Sequence, residues 1–120
     1  MAYLLDSYAW MEYFGGNAVY SRYVEVESNY TASVSLTEIV RALIRRKVGR
    51  SQIEKHLVFI SKKSTLLPIG ENEAVRAGFI AEEVGLHFSD ALIYSLVTND
   101  RVLVTGDKHF KGKANVEFVK

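Results

Sequence analysis

Five short apolar runs alternate along this chain with segments whose apolar residues recur at helical spacing. The runs are Ala2 to Asp6, Tyr30 to Val34, Thr65 to Ile69, Val102 to Thr105 and Val116 to Val119. Few folds accept that alternation. Buried strands joined by helices form a parallel sheet, and right-handed crossovers lay the helices over both of its faces. The expected class is therefore α/β, a three-layer α/β/α sandwich with a short central, mainly parallel sheet.

The helices are read from period and punctuation. Ser7 to Phe14 is a short helix stopped by Gly15-Gly16, and residues 18 to 28 continue as helix. Leu36, Ile39, Val40, Leu43, Ile44 and Val48 define the clearest amphipathic face, which Ser35 opens and Gly49 closes. Gln52 to Lys63 is a further helix, and Pro68 makes the Thr65 run an edge strand or a strand end. A helix through Ala74, Ala77 and Val84 ends at Gly85. After a loop, Ser89 caps a helix carrying Ala91, Leu92 and Leu96.

At 120 residues, with 48% hydrophobic and 24% charged, the chain is expected to form one domain over residues 1–120. No apolar run approaches the roughly 20 residues of a membrane span, and Met1 to Asp6 lacks the basic start of a signal peptide, so a cytoplasmic protein beginning near Met1 is expected. The absence of cysteine excludes disulfides, thiolate zinc sites and a cysteine nucleophile. Any metal ligands must be carboxylates or histidines. A net charge of +1 does not decide for or against nucleic acid, because phosphate binding depends on where charge lies. Arg41, Arg45, Arg46, Lys47 and Arg50 crowd one stretch.

Four acids punctuate this pattern. Asp6 and Asp107 fall just past strands, and Glu38 lies about one turn into the helix after another. In a parallel sheet the carboxyl ends of the strands share one edge, where ligands bind, so these three acids converge by topology. Asp90 follows a loop, and topology does not place it. Each acid alone has a structural reading. Glu38 completes a Ser35-Leu36-Thr37-Glu38 capping box, Asp90 favours a helix dipole, and Asp107 caps the turn Lys108-His109-Phe110. Asp6, if buried, must be capping, paired or metal-bound. Together they weigh differently: two carboxylates about 4 Å apart repel by roughly 4 kcal/mol at an effective dielectric near 20, so a cluster needs a divalent cation or protons.

Four blocks carry a family resemblance: Leu4-Leu5-Asp6-Ser7-Tyr8-Ala9, Ser33-Val34-Ser35-Leu36-Thr37-Glu38, Ser89-Asp90-Ala91-Leu92-Ile93, and Val104-Thr105-Gly106-Asp107-Lys108-His109-Phe110. In this order and spacing they resemble PIN-domain ribonucleases, in particular the small VapC-like toxins of type II toxin–antitoxin systems. The resemblance implies that Asp6, Glu38, Asp90 and Asp107 bind Mg²⁺ or Mn²⁺ and carry catalysis, with Ser7 and Thr105 as hydroxyl supports. It implies a metal-dependent endoribonuclease that hydrolyses RNA phosphodiesters, a homodimer, and a protein antitoxin that inserts near the acids. The family often has one more acid near the last block. Position 109 here is histidine, read as a surface residue, and His56 and His87 are read as structural.

The basic stretch beside Glu38 is either a track for the RNA backbone or a solvated helix face. Tyr8, Trp10, Tyr13, Phe14, Tyr20 and Tyr23 are mostly core, with an excess that suits a partner groove. The alternative function is a PIN-like binding or scaffold module without catalysis. A phosphate-accepting receiver domain fits poorly, because Asp6 follows Leu4-Leu5 without an adjacent acid.

Overall fold

The computed structural model describes residues 2–120. Strands β1 (Ala2–Leu5), β2 (Asn29–Ala32), β3 (Thr65–Leu67), β4 (Arg101–Thr105) and β5 (Val116–Phe118) form one sheet in the order β3-β2-β1-β4-β5, and every pairing is parallel. Around it pack α1 (Ser7–Phe14), α2 (Ser21–Val24), α3 (Ser33–Arg45), α4 (Arg50–Lys63), α5 (Glu71–Val84) and α6 (Phe88–Tyr94). The three-layer α/β/α sandwich anticipated above is the observed fold. β3 is an edge strand, and Pro68 follows it where its missing N–H breaks no ladder.

Strand alternation divides the core in two. Leu5 and Val104 face a cluster built with Trp10, Tyr20, Val24, Ile39 and Ile60, so α1 to α4 cover that side. Their neighbours Leu4 and Leu103 face the opposite way, toward Ala77, Ala91, Ile93 and Phe110 from α5, α6 and the segment after β4. Each cluster is a run of fully buried apolar side chains, and burying one such side chain stabilises by roughly 1.5–3 kcal/mol.

Most element ends agree with the sequence reading, and the differences have local causes. Residues 18 to 28 give only a 3₁₀ turn at Ala18–Tyr20 and the single turn of α2, because Asn29 then enters the sheet. Helix α3 starts at Ser33 rather than Ser35, with Ala32 as its N-cap. Ser35 and Glu38 therefore make no capping box. Nor does Gly49 close α3: Lys47 adopts the left-handed conformation (φ 63°), its N–H donates to the Ile44 carbonyl at 2.9 Å, and Val48 N–H donates to Leu43 at 3.0 Å. That is the Schellman arrangement with lysine at the position glycine usually takes. Gly49 instead precedes α4 in extended conformation. Likewise His87, not Ser89, is the N-cap of α6.

A buried polar chain ties the layers together. Trp10 Nε1 donates to Thr31 Oγ1 at 3.0 Å, and Thr31 Oγ1 lies 2.7 Å from Ser64 Oγ. All three residues are buried, so an unpaired indole N–H here would carry its full desolvation cost. Thr31→Val should therefore lower unfolding free energy by about 1–3 kcal/mol in urea titrations; an unchanged midpoint would mean that the indole finds another acceptor.

Candidate metal centre at the carboxyl edge of the sheet

Asp6 leaves β1 at the middle of the sheet and caps α1. Its Oδ1 accepts the Ala9 N–H at 2.9 Å, and its Oδ2 accepts the Thr105 hydroxyl at 2.5 Å from the end of β4. The Thr105 oxygen in turn accepts the Asp107 N–H at 2.9 Å. One hydroxyl thus links two of the four acids. Glu38, on the second turn of α3, accepts the Ser7 hydroxyl at 3.1 Å. Both hydroxyls that the family resemblance marked as supports are hydrogen-bonded to acids.

Asp107 also caps the short turn Lys108–Phe110, as the sequence suggested, by accepting the His109 N–H at 3.0 Å. Gly106 lets the chain reach that position. A Cβ there would collide with the Tyr8 ring and lie 2.7 Å from the Val119 carbonyl and 2.8 Å from the Tyr20 hydroxyl. Asp90 comes from the far side: α6 packs on α3 as well as on α5, which brings its first turn to the same edge. Topology did not place Asp90; helix packing does.

The four acids sense one another. Burial pushes the Asp6 carboxyl up to about 7, partly offset by the hydrogen bonds from Thr105 and Ala9 and raised further by Asp107 and Glu38. Burial also raises Glu38, against the Ser7 hydrogen bond, and Asp90 and Asp107 add to the rise. Asp90 is raised by burial and by Asp107, and His109 opposes the rise. Among the described residues a tight triplet stands out, with one donor atom each from Asp90, Asp107 and His109 all within 4.8 Å of one another. Asp6 is near enough to feel the charge of Asp107, and Glu38 that of Asp90 and Asp107.

His109 is exposed, as the sequence suggests, and it also borders the acids. Its Nδ1 lies 3.1 Å from Asp90 Oδ2 and 3.4 Å from Asp107 Oδ1, and its ring centroid is 5.1 Å from that of His87. The available signal was its place two residues after Asp107 in a tight turn. His56, by contrast, packs against Phe14 at 4.1 Å between centroids, in keeping with a structural role. Trp10, Tyr20 and Tyr23 are buried, whereas Tyr8 is half-exposed.

Beside the acids lies a cavity of about 200 Å³ bordered by Ser7, Tyr8, Glu38, Arg46 and Asp107. Arg46 is the basic residue of the 41–50 stretch that reaches this border, while Arg41, Arg45, Lys47 and Arg50 are exposed elsewhere on α3, in the turn after it and at the start of α4. An apolar groove of about 390 Å³ runs elsewhere, between α3 and α4 along Leu36, Val40 and Leu57.

The raised acids make the ion-free protein sensitive to pH in a definite direction. Between about pH 4 and 7 the folded chain keeps a proton on Asp6 that the unfolded chain has lost, so stability falls as pH rises through this window. The penalty is complete above about pH 7 and amounts to roughly 4 kcal/mol for a shift of this size. Asn at position 6 can still accept from Ala9 and can donate to Thr105 while carrying no charge. Asp6→Asn should therefore raise the melting temperature of chelator-treated protein at pH 8 and flatten its fall between pH 4 and 7; an unchanged pH profile would show that Asp6 ionises freely.

Comparison with known proteins places this geometry. No curated protein sequence matches significantly. Among solved structures, a toxin-antitoxin complex from Klebsiella pneumoniae is similar with a TM-score of 0.79 at 19% identity, covering 95% of this chain and 94% of that one. VapBC2 from Rickettsia felis, bound to a DNA fragment from their promoter, gives 0.76 at 19% identity over 99% and 98%. Mycobacterium tuberculosis VapC20, a sarcin-ricin loop cleaving toxin, gives 0.62 at 16% identity over 78% and 79%. At these identities the likeness is one of fold. The family model of the PIN domain matches residues 3–116, and with four acids gathered at the carboxyl edge of its sheet this chain belongs to the PIN domain family.

Proposed function

We propose that this protein is a divalent-metal-dependent endoribonuclease that hydrolyses RNA phosphodiester bonds, acting in the cytoplasm as the toxin of a toxin–antitoxin pair, with residues 1–120 as one domain. The observation that carries this reading is the convergence of Asp6, Glu38, Asp90 and Asp107 from four separate segments, where burial and mutual repulsion oppose the ionisation of three of them. A bound dication removes that opposition at neutral pH, and a carboxylate-rich donor set suits Mg²⁺ or Mn²⁺. These residues fit the ion that the family implies.

Asp6, Glu38, Asp90 and Asp107 would hold it. When bound, the ion supplies Lewis acidity: it lowers the pKa of an attacking water and stabilises charge on the leaving oxygen. The remaining work belongs to the chain. Thr105 and the Ala9 N–H fix the Asp6 carboxylate, and Ser7 fixes Glu38, so neither acid has to reorganise when substrate arrives. Arg46, on the cavity border, would meet a phosphate brought to the acids, and the exposed basic residues beside it would hold the RNA backbone further along.

PIN family membership supports a nuclease, and the likeness to a sarcin-ricin loop cleaving toxin supports RNA as its substrate. Structural likeness to two toxin–antitoxin assemblies supports a protein antitoxin, for which the apolar α3–α4 groove offers a seat on the helix that carries Glu38. The homodimer draws support from Val75, Phe79 and Phe88, which are 58%, 63% and 80% exposed along α5 and the start of α6. Among the described residues no helix is long and apolar enough to cross a membrane.

Loss of cleavage by roughly a hundredfold or more, with the fold retained, is expected for Asp90→Asn and for Asp6→Asn, since each removes an ion ligand worth several kcal/mol in the transition state. Before any RNA is chosen, Mn²⁺ at about 100 times its dissociation constant should stabilise wild type by roughly 2.7 kcal/mol and leave Asp90→Asn unmoved. No shift in either protein would favour the scaffold function instead. Reversing Arg45 and Arg46 to Glu should flatten the salt dependence of RNA affinity by about 0.7 in log–log slope for each phosphate no longer neutralised; an unchanged slope would remove the basic stretch from the interface.

A further inference from the structure

We propose that His109 contributes an imidazole nitrogen to the divalent-ion site beside Asp90 and Asp107, and that this mixed nitrogen–oxygen donor set favours Mn²⁺ and later first-row ions over Mg²⁺. The inference rests on the metal-dependent function proposed above and goes past it by naming a further ligand and an ion preference that the four carboxylates do not provide.

The geometry carries it. Of the acids and histidines in the site, Asp90, Asp107 and His109 are the ones whose donor atoms cluster within 4.8 Å of one another. The His109 Nδ1 faces both carboxylates, at 3.1 and 3.4 Å. Its backbone is held as well: the His109 N–H donates to Asp107 Oδ1, and Phe110, 1% exposed, anchors the turn from beneath with its own N–H on the Asp107 carbonyl at 3.1 Å. On one side the His87 ring lies beside the imidazole, with centroids 5.1 Å apart and planes at 60°. The His109 side chain nevertheless remains about half exposed, so an ion can reach it without the protein opening.

Ligand chemistry then sets the preference. Mg²⁺ demands near-octahedral oxygen ligands and keeps its waters, whereas imidazole suits the first-row ions, with affinity rising along the Irving–Williams order. A carboxylate at position 109 would make the whole set hard oxygen. Imidazole there gives the same pocket a softer donor. The competing role for His109 is that of a counter-cation that merely neutralises Asp90 and Asp107. Removing a counter-cation would change affinity for every divalent ion by a similar factor. Removing a nitrogen ligand changes the ratio between ions.

The test uses untagged, chelator-stripped full-length protein, titrated calorimetrically with Mg²⁺, Mn²⁺ and Ni²⁺ as wild type, His109→Asp, His109→Ala and Asp90→Asn. Electron spin echo modulation of the Mn²⁺-loaded protein reads directly whether a nitrogen is bound. The expected result is nitrogen modulation in wild type that disappears in His109→Asp, with the Mn²⁺ to Mg²⁺ affinity ratio falling at least about tenfold. Ni²⁺ should weaken by more than Mg²⁺ in His109→Ala. Because the side chain is half exposed, both His109 variants should keep the wild-type circular dichroism spectrum. Absence of nitrogen modulation in wild type, or equal changes for all three ions, would overturn the imidazole ligand while leaving the carboxylate site standing. Wild type that binds no ion, or Asp90→Asn that binds all three as well as wild type, would overturn the metal site and this inference together.

Discussion

Asp6 is held from two directions, by the Ala9 N–H of the helix it starts and by the Thr105 hydroxyl of the neighbouring strand. The second bond depends on the register of the sheet, in which Leu5 pairs with Val104 so that the next residues of each strand emerge side by side. A one-residue slip of β4 would turn Thr105 to the other face and exchange Leu103 and Val104 between the two apolar clusters. Core packing and site assembly are thus secured by the same pairing, and the hydrophobic cost of a slip protects the geometry of the acids.

The site itself is an unfavourable place for charge. Three carboxyls are pushed above their ordinary range by burial, and each also feels at least one of the other acids. Sites arranged for chemistry commonly depart from what stability alone would select, and the rest of the fold compensates. Here compensation comes from two apolar layers, from hydroxyls aimed at the acids, and from His109 lying between Asp90 and Asp107. Gly106 shows how little room remains, since the turn that delivers Asp107 passes against Tyr8, Tyr20 and the Val119 carbonyl too closely for any Cβ.

The helix ends show where local rules were overruled. Ser35, an attractive cap in sequence, is fully buried in the first turn of α3, with a hydroxyl that has no hydrogen-bond partner among the described residues. Gly49 looked like a helix stop, yet Lys47 takes the left-handed position because the Schellman bonds to Leu43 and Ile44 are satisfied there and Val48 can pack on the core. In both cases the local preference that was overruled is worth about 1–2 kcal/mol, which tertiary packing can exceed.

Alternation of apolar runs with helix-period segments determined the parallel sandwich, because only that arrangement buries strands on both faces and satisfies their backbone groups. It also determined that Asp6 and Asp107 meet, since both follow strands whose carboxyl ends share an edge, and Glu38 follows one turn behind. Asp90 and His109 were decided by tertiary structure alone. Asp90 arrives because α6 packs across α3, and His109 because a capped turn points its ring back at Asp90. The chain marks both residues, Asp90 by its block and His109 by its place two residues after Asp107, yet neither mark says that the two side chains meet, for contacts between elements remote in sequence depend on side-chain volumes and crossing angles that one-dimensional patterns do not record.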